Sequence, residues 1–250
     1  MVKLAFENVS YRYAGRDGLA LDGVTVELPS NKKIALIGRN GSGKSTFFLH
    51  CNGVLKPSSG RVLLDGEVVG YGRAGLKKLR QTVGIVFQQA DDQLFSASIE
   101  QDISFGPLNL GLTDEEARER VAEVMRSCEI DHLAGRPVHA LSGGEKARVA
   151  LAGVLAMRPE IILVDEPTAS LDPLMRQQVF RIFDRLIGGG KTVVVATHEY
   201  EIARFWAEFV VVMDQGNLLA AGYTDEIFEQ VELLEKIGLN RPWYEGVFKC

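Results

Sequence analysis

The stretch GRNGSGKST, residues 38–46, restricts what this chain can fold into more than any other part of it. The apolar run KKIALI, residues 32–37, precedes it and reads as a buried parallel strand; FFLHCNGVL, residues 47–55, follows it and reads as a helix. The order is therefore strand, glycine loop, helix. Gly38, Gly41 and Gly43 permit loop conformations that a side chain would forbid, so successive N–H groups can turn inward around anionic oxygens. Lys44 adds a mobile cation for β- and γ-phosphates, the Ser45 hydroxyl can ligate Mg²⁺, and the helix contributes its positive end. The bland alternative is a flexible glycine turn before an ordinary helix. Gly-x-x-x-x-Gly-Lys-Ser/Thr arises by accident in roughly one chain in a hundred of this length, so nucleotide binding is the working premise.

With 250 residues, 46% of them hydrophobic, the chain can bury a real core, and disorder is excluded. The net charge of −5 gives no overall electrostatic footprint for nucleic acid, which is not expected as a partner. No apolar run approaches the roughly twenty residues needed to cross a bilayer, and the basic-then-apolar pattern of a signal peptide is lacking. Cys51, Cys128 and Cys250 are widely spaced and contain no Cys-x-x-Cys pair, so neither a disulfide framework nor a zinc site is expected. His50, His132 and His139 suggest no metal cluster.

Before the glycine loop, residues 4–13 and 20–30 alternate apolar and polar positions, predicting a small antiparallel β-layer beside a parallel core. Tyr13 either stacks on a purine base or simply packs in an edge strand. After the loop, KPSSGRVLLDGEVV predicts a hairpin turning at Asp65-Gly66, and LKKLRQTVGIVFQQ a basic helix running into a strand over 83–87. Gln88 stands at that strand's carboxyl end, where open α/β sheets place ligand groups. From residue 91 to 133 helical spacing takes over, with Thr113 and Glu116 as a capping box, so a mostly helical insertion is expected. The segment DDQLFSASIEQDISFGPLNLGL shows no firm periodicity; its Leu94, Phe95, Phe105 and Leu108 are either folded into the insertion or form a docking surface.

The strand IILVDE ends in two carboxylates that point in opposite directions. Asp165 suits the Mg²⁺ shell and Glu166 the polarisation of an attacking water, whereas without the glycine loop the pair would read as a solvated turn. Ser142-Gly143-Gly144-Glu145 forms a capping box, yet two glycines in a first turn cost about 2 kcal/mol relative to alanine. They make sense where phosphate approaches bare backbone, giving the chain a second phosphate-binding helix end that one nucleotide in one subunit is not expected to share with the first. His198 follows the buried strand KTVVVAT and is either a core or surface imidazole or a donor to γ-phosphate. A terminal hairpin, FVVVMDQGNLLAAG, and a helical DEIFEQVELLEKIGL lead to a tail with Trp243 and Tyr244, which packs on its own domain or at a dimer contact.

With these motifs in order, the chain resembles an ATP-binding cassette (ABC) ATPase along nearly its whole length. GRNGSGKST resembles the Walker A loop, Gln88 the Q-loop glutamine, LSGGE the signature, IILVDE the Walker B strand, ASLD the D-loop and His198 the switch histidine. The resemblance implies an α/β, P-loop NTPase fold of ABC type with an N-terminal antiparallel β-layer and a helical subdomain. Its expected bounds are 1–240 for the ATPase domain, about 91–157 for the inserted subdomain, and 241–250 for the tail. It implies ATP and Mg²⁺ as ligands. Nucleotide contacts fall on Tyr13, Gly38, Asn40, Gly41, Ser42, Gly43, Lys44, Ser45, Thr46, Gln88, Ser142, Gly143, Gly144 and Asp165. The metal shell falls on Ser45, Gln88 and Asp165, and catalysis on Glu166 and His198. It also implies a head-to-tail dimer, expected here as a homodimer, in which one subunit's signature closes over the other's ATP.

Two departures stand out. Glu145 replaces the glutamine of the commonest signature, and Glu199 replaces an aspartate after the switch histidine. Within the family, FQQADDQLFSASIEQDISFGPLNLGL, LSGGEKARVALAGVLAM and IFEQVELLEKIGL are similar to energy-coupling-factor importer ATPases, especially the cobalt-import subunit. That similarity implies a peripheral position on the cytoplasmic face of the membrane, under a transmembrane coupling protein and substrate-binding membrane subunits. Cobalt or nickel is the first expectation for cargo and a vitamin the second. The alternatives are the ATPase of another ABC importer or exporter, a soluble ABC protein, which would normally bring a coiled-coil insertion or second cassette, and a small-molecule kinase.

Overall fold

The computed structural model describes residues 2–168 and 171–238. The expected tail with Trp243 and Tyr244, and Ala169 and Ser170 of the ASLD motif, lie outside the described residues.

Alternation at the start gives β1 (Leu4–Tyr11) and β2 (Leu21–Leu28), in which Leu21, Val24, Val26 and Leu28 turn inward. The apolar run before the glycine loop is β3 (Lys33–Ile37), with Ile34 through Ile37 all buried. Helix α1 (Lys44–Cys51) begins earlier than its hydrophobic residues suggested, because Lys44 and Ser45 already belong to its first turn. The hairpin of β4 (Ser59–Leu64) and β5 (Glu67–Val68) turns at Asp65 and Gly66, whose φ of 54° and 78° fit a type I′ turn. Helix α2 (Arg73–Thr82) runs directly into β6 (Val83–Val86).

The segment without clear periodicity contains a helix, α3 (Ile99–Leu110), where an irregular segment was expected. Gly106 and Pro107 inside it obscured its helical pattern, yet Ser98 caps it and Gly111 ends it at a φ of 96°. Asp102 accepts hydrogen bonds from the N–H groups of Phe95 and Ser96, at 3.1 and 3.2 Å, and so fastens the preceding loop to the helix. The expected capping box at Thr113 and Glu116 opens α4 (Asp114–Ser127), and that at Ser142 and Glu145 opens α5 (Gly143–Leu155). Strand β7 (Ile161–Asp165) is buried throughout. Helix α6 (Pro173–Gly188) starts from an Asp172 cap, its carboxylate accepting the Met175 N–H at 2.8 Å, with Pro173 in the first turn.

Strand β8 (Thr192–Thr197) leads to a π-helical turn at Ile202–Trp206 and the terminal hairpin of β9 (Phe209–Asp214) and β10 (Asn217–Tyr223). The last helical stretch is two short pieces, α7 (Thr224–Phe228) and α8 (Val231–Ile237), not one continuous helix.

The chain divides into two compact units. One holds the residues up to Arg80 and those from Thr192 onward; the other holds Gln81–Lys191. In the first unit β2-β1-β4-β5 form the antiparallel layer, and β3 pairs in parallel with both β8 and β9, with β10 antiparallel on β9. Phe6 of β1 stacks on Phe47 of α1 with centroids 4.3 Å apart, joining the antiparallel layer to the helix after the glycine loop. In the second unit β6 and β7 pair in parallel, and α3, α4 and α5 pack together.

Candidate nucleotide-binding and hydrolysis site

In the first unit, the glycine loop leaves the carboxyl end of β3. Beside it, Ile37 pairs in register with Thr197, so Gly38 and His198 leave neighbouring parallel strands at the same level. His198 is exposed there. The loop is pinned by two bonds, the Ser42 N–H donating to the Arg39 carbonyl at 3.0 Å and the Gly216 N–H donating to the Ser42 carbonyl at 2.9 Å. Gly43, at the N-cap of α1, has a φ of 107°, and a Cβ there would stand 2.8 Å from the Ala20 carbonyl oxygen. Only glycine fits that position.

The Lys44 ammonium is buried and donates to the carbonyls of Gly38 at 2.8 Å and Arg39 at 3.4 Å, spanning the loop from within. Glycine at the cap provides no side chain to α1's first N–H groups, no acid stands in the first turn, and the Ser42 hydroxyl is buried with no hydrogen-bond partner. A buried ammonium beside helix N–H groups, with no acid in the first turn of α1, fits a polyphosphate. Asn40, Gly41 and Ser45 are exposed.

Tyr13 is held against the first turn of α1. Its hydroxyl lies 3.2 Å from Thr46 Oγ1, its ring meets Tyr11 edge-on at 5.0 Å, and the Arg16 guanidinium lies 5.5 Å from its centroid. Tyr11 in turn meets His50 at 4.8 Å, and His50 Nδ1 bonds the Thr46 carbonyl at 2.8 Å. Burial pushes the His50 imidazole below its ordinary pKa, so it serves as a neutral spacer.

In the second unit, Val86 pairs in register with Val164, so Gln88 and the acidic pair leave the same end of β6 and β7. Gln88 and Asp165 line one cavity of about 40 Å³, whose wall includes Ala147 and Leu151 of α5 and Phe183 of α6. Asp165 and Glu166 are both buried. Glu166 sits just past the strand with a φ of 46°, uncommon for a residue with a side chain.

The signature forms the N-terminus of α5. Ser142 and Gly143 are exposed, and nothing lies within 4 Å of a Cβ built on Gly143. Gly144 is different: a Cβ there would stand 2.1 Å from Met175 Sδ of α6. The second glycine therefore also has a packing neighbour, while a Cβ on the first would meet open space.

Fold and residues together define an ABC-type P-loop ATPase, and the chain belongs to the ABC transporter family, whose model matches residues 21–169. Within that family it is similar to the energy-coupling factor transporter ATP-binding protein EcfA of Methanothermobacter thermautotrophicus, 47% identical over 240 residues that cover 96% of this chain and 76% of that protein. Among solved structures it is similar to CbiO1 from Clostridium perfringens, part of the ABC transporter complex CbiONQ. The TM-score is 0.81 at 40% identity, covering 98% of this chain and 97% of that one. It is also similar to a dimeric ATP-binding cassette in a post-hydrolysis state bound to ADP and Pi. There the TM-score is 0.79 at 29% identity, covering 88% of this chain and 98% of that one.

Proposed function

We propose that this chain is the ATP-hydrolysing subunit of an energy-coupling-factor importer, closing as a dimer on ATP and driving uptake through a transmembrane coupling protein. The observation that carries the reading is similarity along 96% of the chain to a protein named as an energy-coupling factor transporter ATP-binding protein. The dimeric relative holding ADP and Pi supports the closing of two cassettes. Among the described residues no helix is long and apolar enough to cross a membrane, in keeping with a peripheral subunit.

In this proposal Lys44 and the loop N–H groups take the β- and γ-phosphates, and Tyr13 takes the adenine face. Ser142 and the N–H groups of Gly143 and Gly144 close on the γ-phosphate held by a second copy. Ser45, Gln88 and Asp165 would hold Mg²⁺, which supplies neutralisation of phosphate charge. Three oxygen-donor side chains suit that ion, which is usually bound through one or two carboxylates together with substrate phosphates. Glu166 accepts a proton from the attacking water, and His198 donates a hydrogen bond to the γ-phosphate as negative charge builds there.

Cargo binds another subunit. Cobalt or nickel is the first assignment and a vitamin the second. Isolation from native membranes is expected to bring down a transmembrane coupling protein and a cargo-binding membrane subunit; recovery free of membrane proteins under mild detergent overturns the transport reading. Product analysis also bears on it, since inorganic phosphate supports hydrolysis and a phosphorylated acceptor supports a kinase.

The loop after Gln88 tests the coupling. Phe95, 67% exposed, meets Phe105, 53% exposed, edge-on at 4.9 Å, and Leu108 extends the same exposed apolar set along α3. Phe95→Asp places a charge where an apolar partner surface is proposed and is expected to cut capture of the coupling protein by about tenfold or more. ATP affinity of the isolated subunit is expected to stay within twofold, and unchanged capture in a pull-down rejects the docking role.

A further inference from the structure

The acid that sets this signature apart, Glu145, is tied down on both oxygens. One accepts the Ser142 N–H at 2.7 Å and the Ser142 hydroxyl at 2.8 Å, while Ser142 Oγ accepts the Glu145 N–H at 3.3 Å. The other faces the Arg136 guanidinium at 3.6 Å. The Ser142 N–H and hydroxyl, then Arg136 and His132, hold the carboxyl below its ordinary pKa. A full negative charge therefore stands in the first turn of α5, where the proposed function requires a second subunit's triphosphate to arrive.

Such a charge suits the helix dipole in the free subunit and repels phosphate in the closed one. Its effect grows on closure, because water that screens it is displaced. The adjacent cation cannot offset it, since Lys146 is engaged by Asp91 at 2.6 Å. The Arg136 guanidinium faces the second oxygen of the acid from a side chain 54% exposed, against 18% for Glu145.

We propose that Arg136 is a positioning residue of the signature: its guanidinium neutralises Glu145, so that the helix end meets a triphosphate without net negative charge. The proposal rests on the reading of α5 as the surface that closes over a second subunit's ATP. Arg136 lies outside the signature motif, in the loop before it, and acts through Glu145.

A charge cycle tests this in the hydrolysis-blocked Glu166→Gln background, with Mg-ATP as the probe. The ATP concentration at half-dimerisation is read by light scattering, and nucleotide affinity of the monomer is read with a fluorescent ATP analogue at dilution. Arg136→Ala is expected to raise the half-dimerisation concentration by about tenfold and leave monomer affinity within twofold. Adding Glu145→Gln, which keeps the capping box, is expected to return dimerisation to within about threefold of the parent. A merely structural arginine would lower the melting temperature and gain nothing from the second change. If the parent dimerises and Arg136→Ala behaves like it, or if Glu145→Gln gives no rescue, the proposal is overturned alone. A parent that stays monomeric in Mg-ATP overturns the reading beneath it, and the proposal with it.

Discussion

Replacing Glu166 by glutamine is expected to slow ATP turnover by roughly 10²–10⁴-fold while ATP affinity stays within about threefold. The change keeps the shape of a buried side chain that the backbone holds at a φ of 46°, and removes only the negative charge and proton-accepting capacity. Turnover number and kcat/KM should therefore fall together, the pattern of an interaction made in the transition state and not in the ground state. A packing role predicts something else, namely a lower melting temperature with activity recovering on cooling. Asp165, one residue earlier at the end of β7, gives the internal comparison. Asp165→Asn is expected to weaken the dependence of ATP binding on Mg²⁺, because its proposed partner is the metal shell and not the water. Normal hydrolysis by Glu166→Gln would remove Glu166 from the mechanism.

The phosphate loop was legible in sequence because its demands are local: a buried strand, glycines at fixed intervals and a lysine at the helix start. Both capping boxes were legible for the same reason, since Thr113 with Glu116 and Ser142 with Glu145 interact across a single turn. Helix α3 was not, because Gly106 and Pro107 break the pattern that signals a helix, and its Ser98 cap was the available clue. Helix α6 announced itself by Asp172 followed by Pro173, a cap and a first-turn proline, hidden within a segment read as a motif. What no local pattern contains is contact between distant residues. The Tyr13–Thr46 bond spans 33 positions, and the Arg136–Glu145 pair joins a loop arginine to a helix acid. Gly144 carries a demand that the motif does not display, since a Cβ there would meet Met175 on another helix.

Lys44→Ala is expected to weaken ATP binding by at least about 100-fold, equivalent to about 2.7 kcal/mol, the scale of one or two charge-assisted hydrogen bonds. The lysine donates to the carbonyls of Gly38 and Arg39 across the loop, so its loss removes a cation from the phosphate site and donors from two carbonyls. The second effect is modest, about 1 kcal/mol, and the melting temperature should drop by only a few degrees. What should vanish is the rise in melting temperature on adding Mg-ATP, because stabilisation by a ligand scales with its concentration over Kd. Gly43→Ala is the contrasting case. Its Cβ would meet the Ala20 carbonyl oxygen at 2.8 Å, and its φ of 107° is strained for any side chain. That variant should lose roughly 1–3 kcal/mol of stability as well as its nucleotide response. Scanning calorimetry with and without Mg-ATP separates the two: lost response with near-parental stability identifies charge, and joint loss identifies loop geometry. Lys44→Arg decides whether charge alone suffices. The side chain is buried, and the broader, planar guanidinium cannot enter the same space, so charge without the ammonium's compact shape is not expected to restore binding. Restored ATP response in that variant would mean that the loop yields to its occupant.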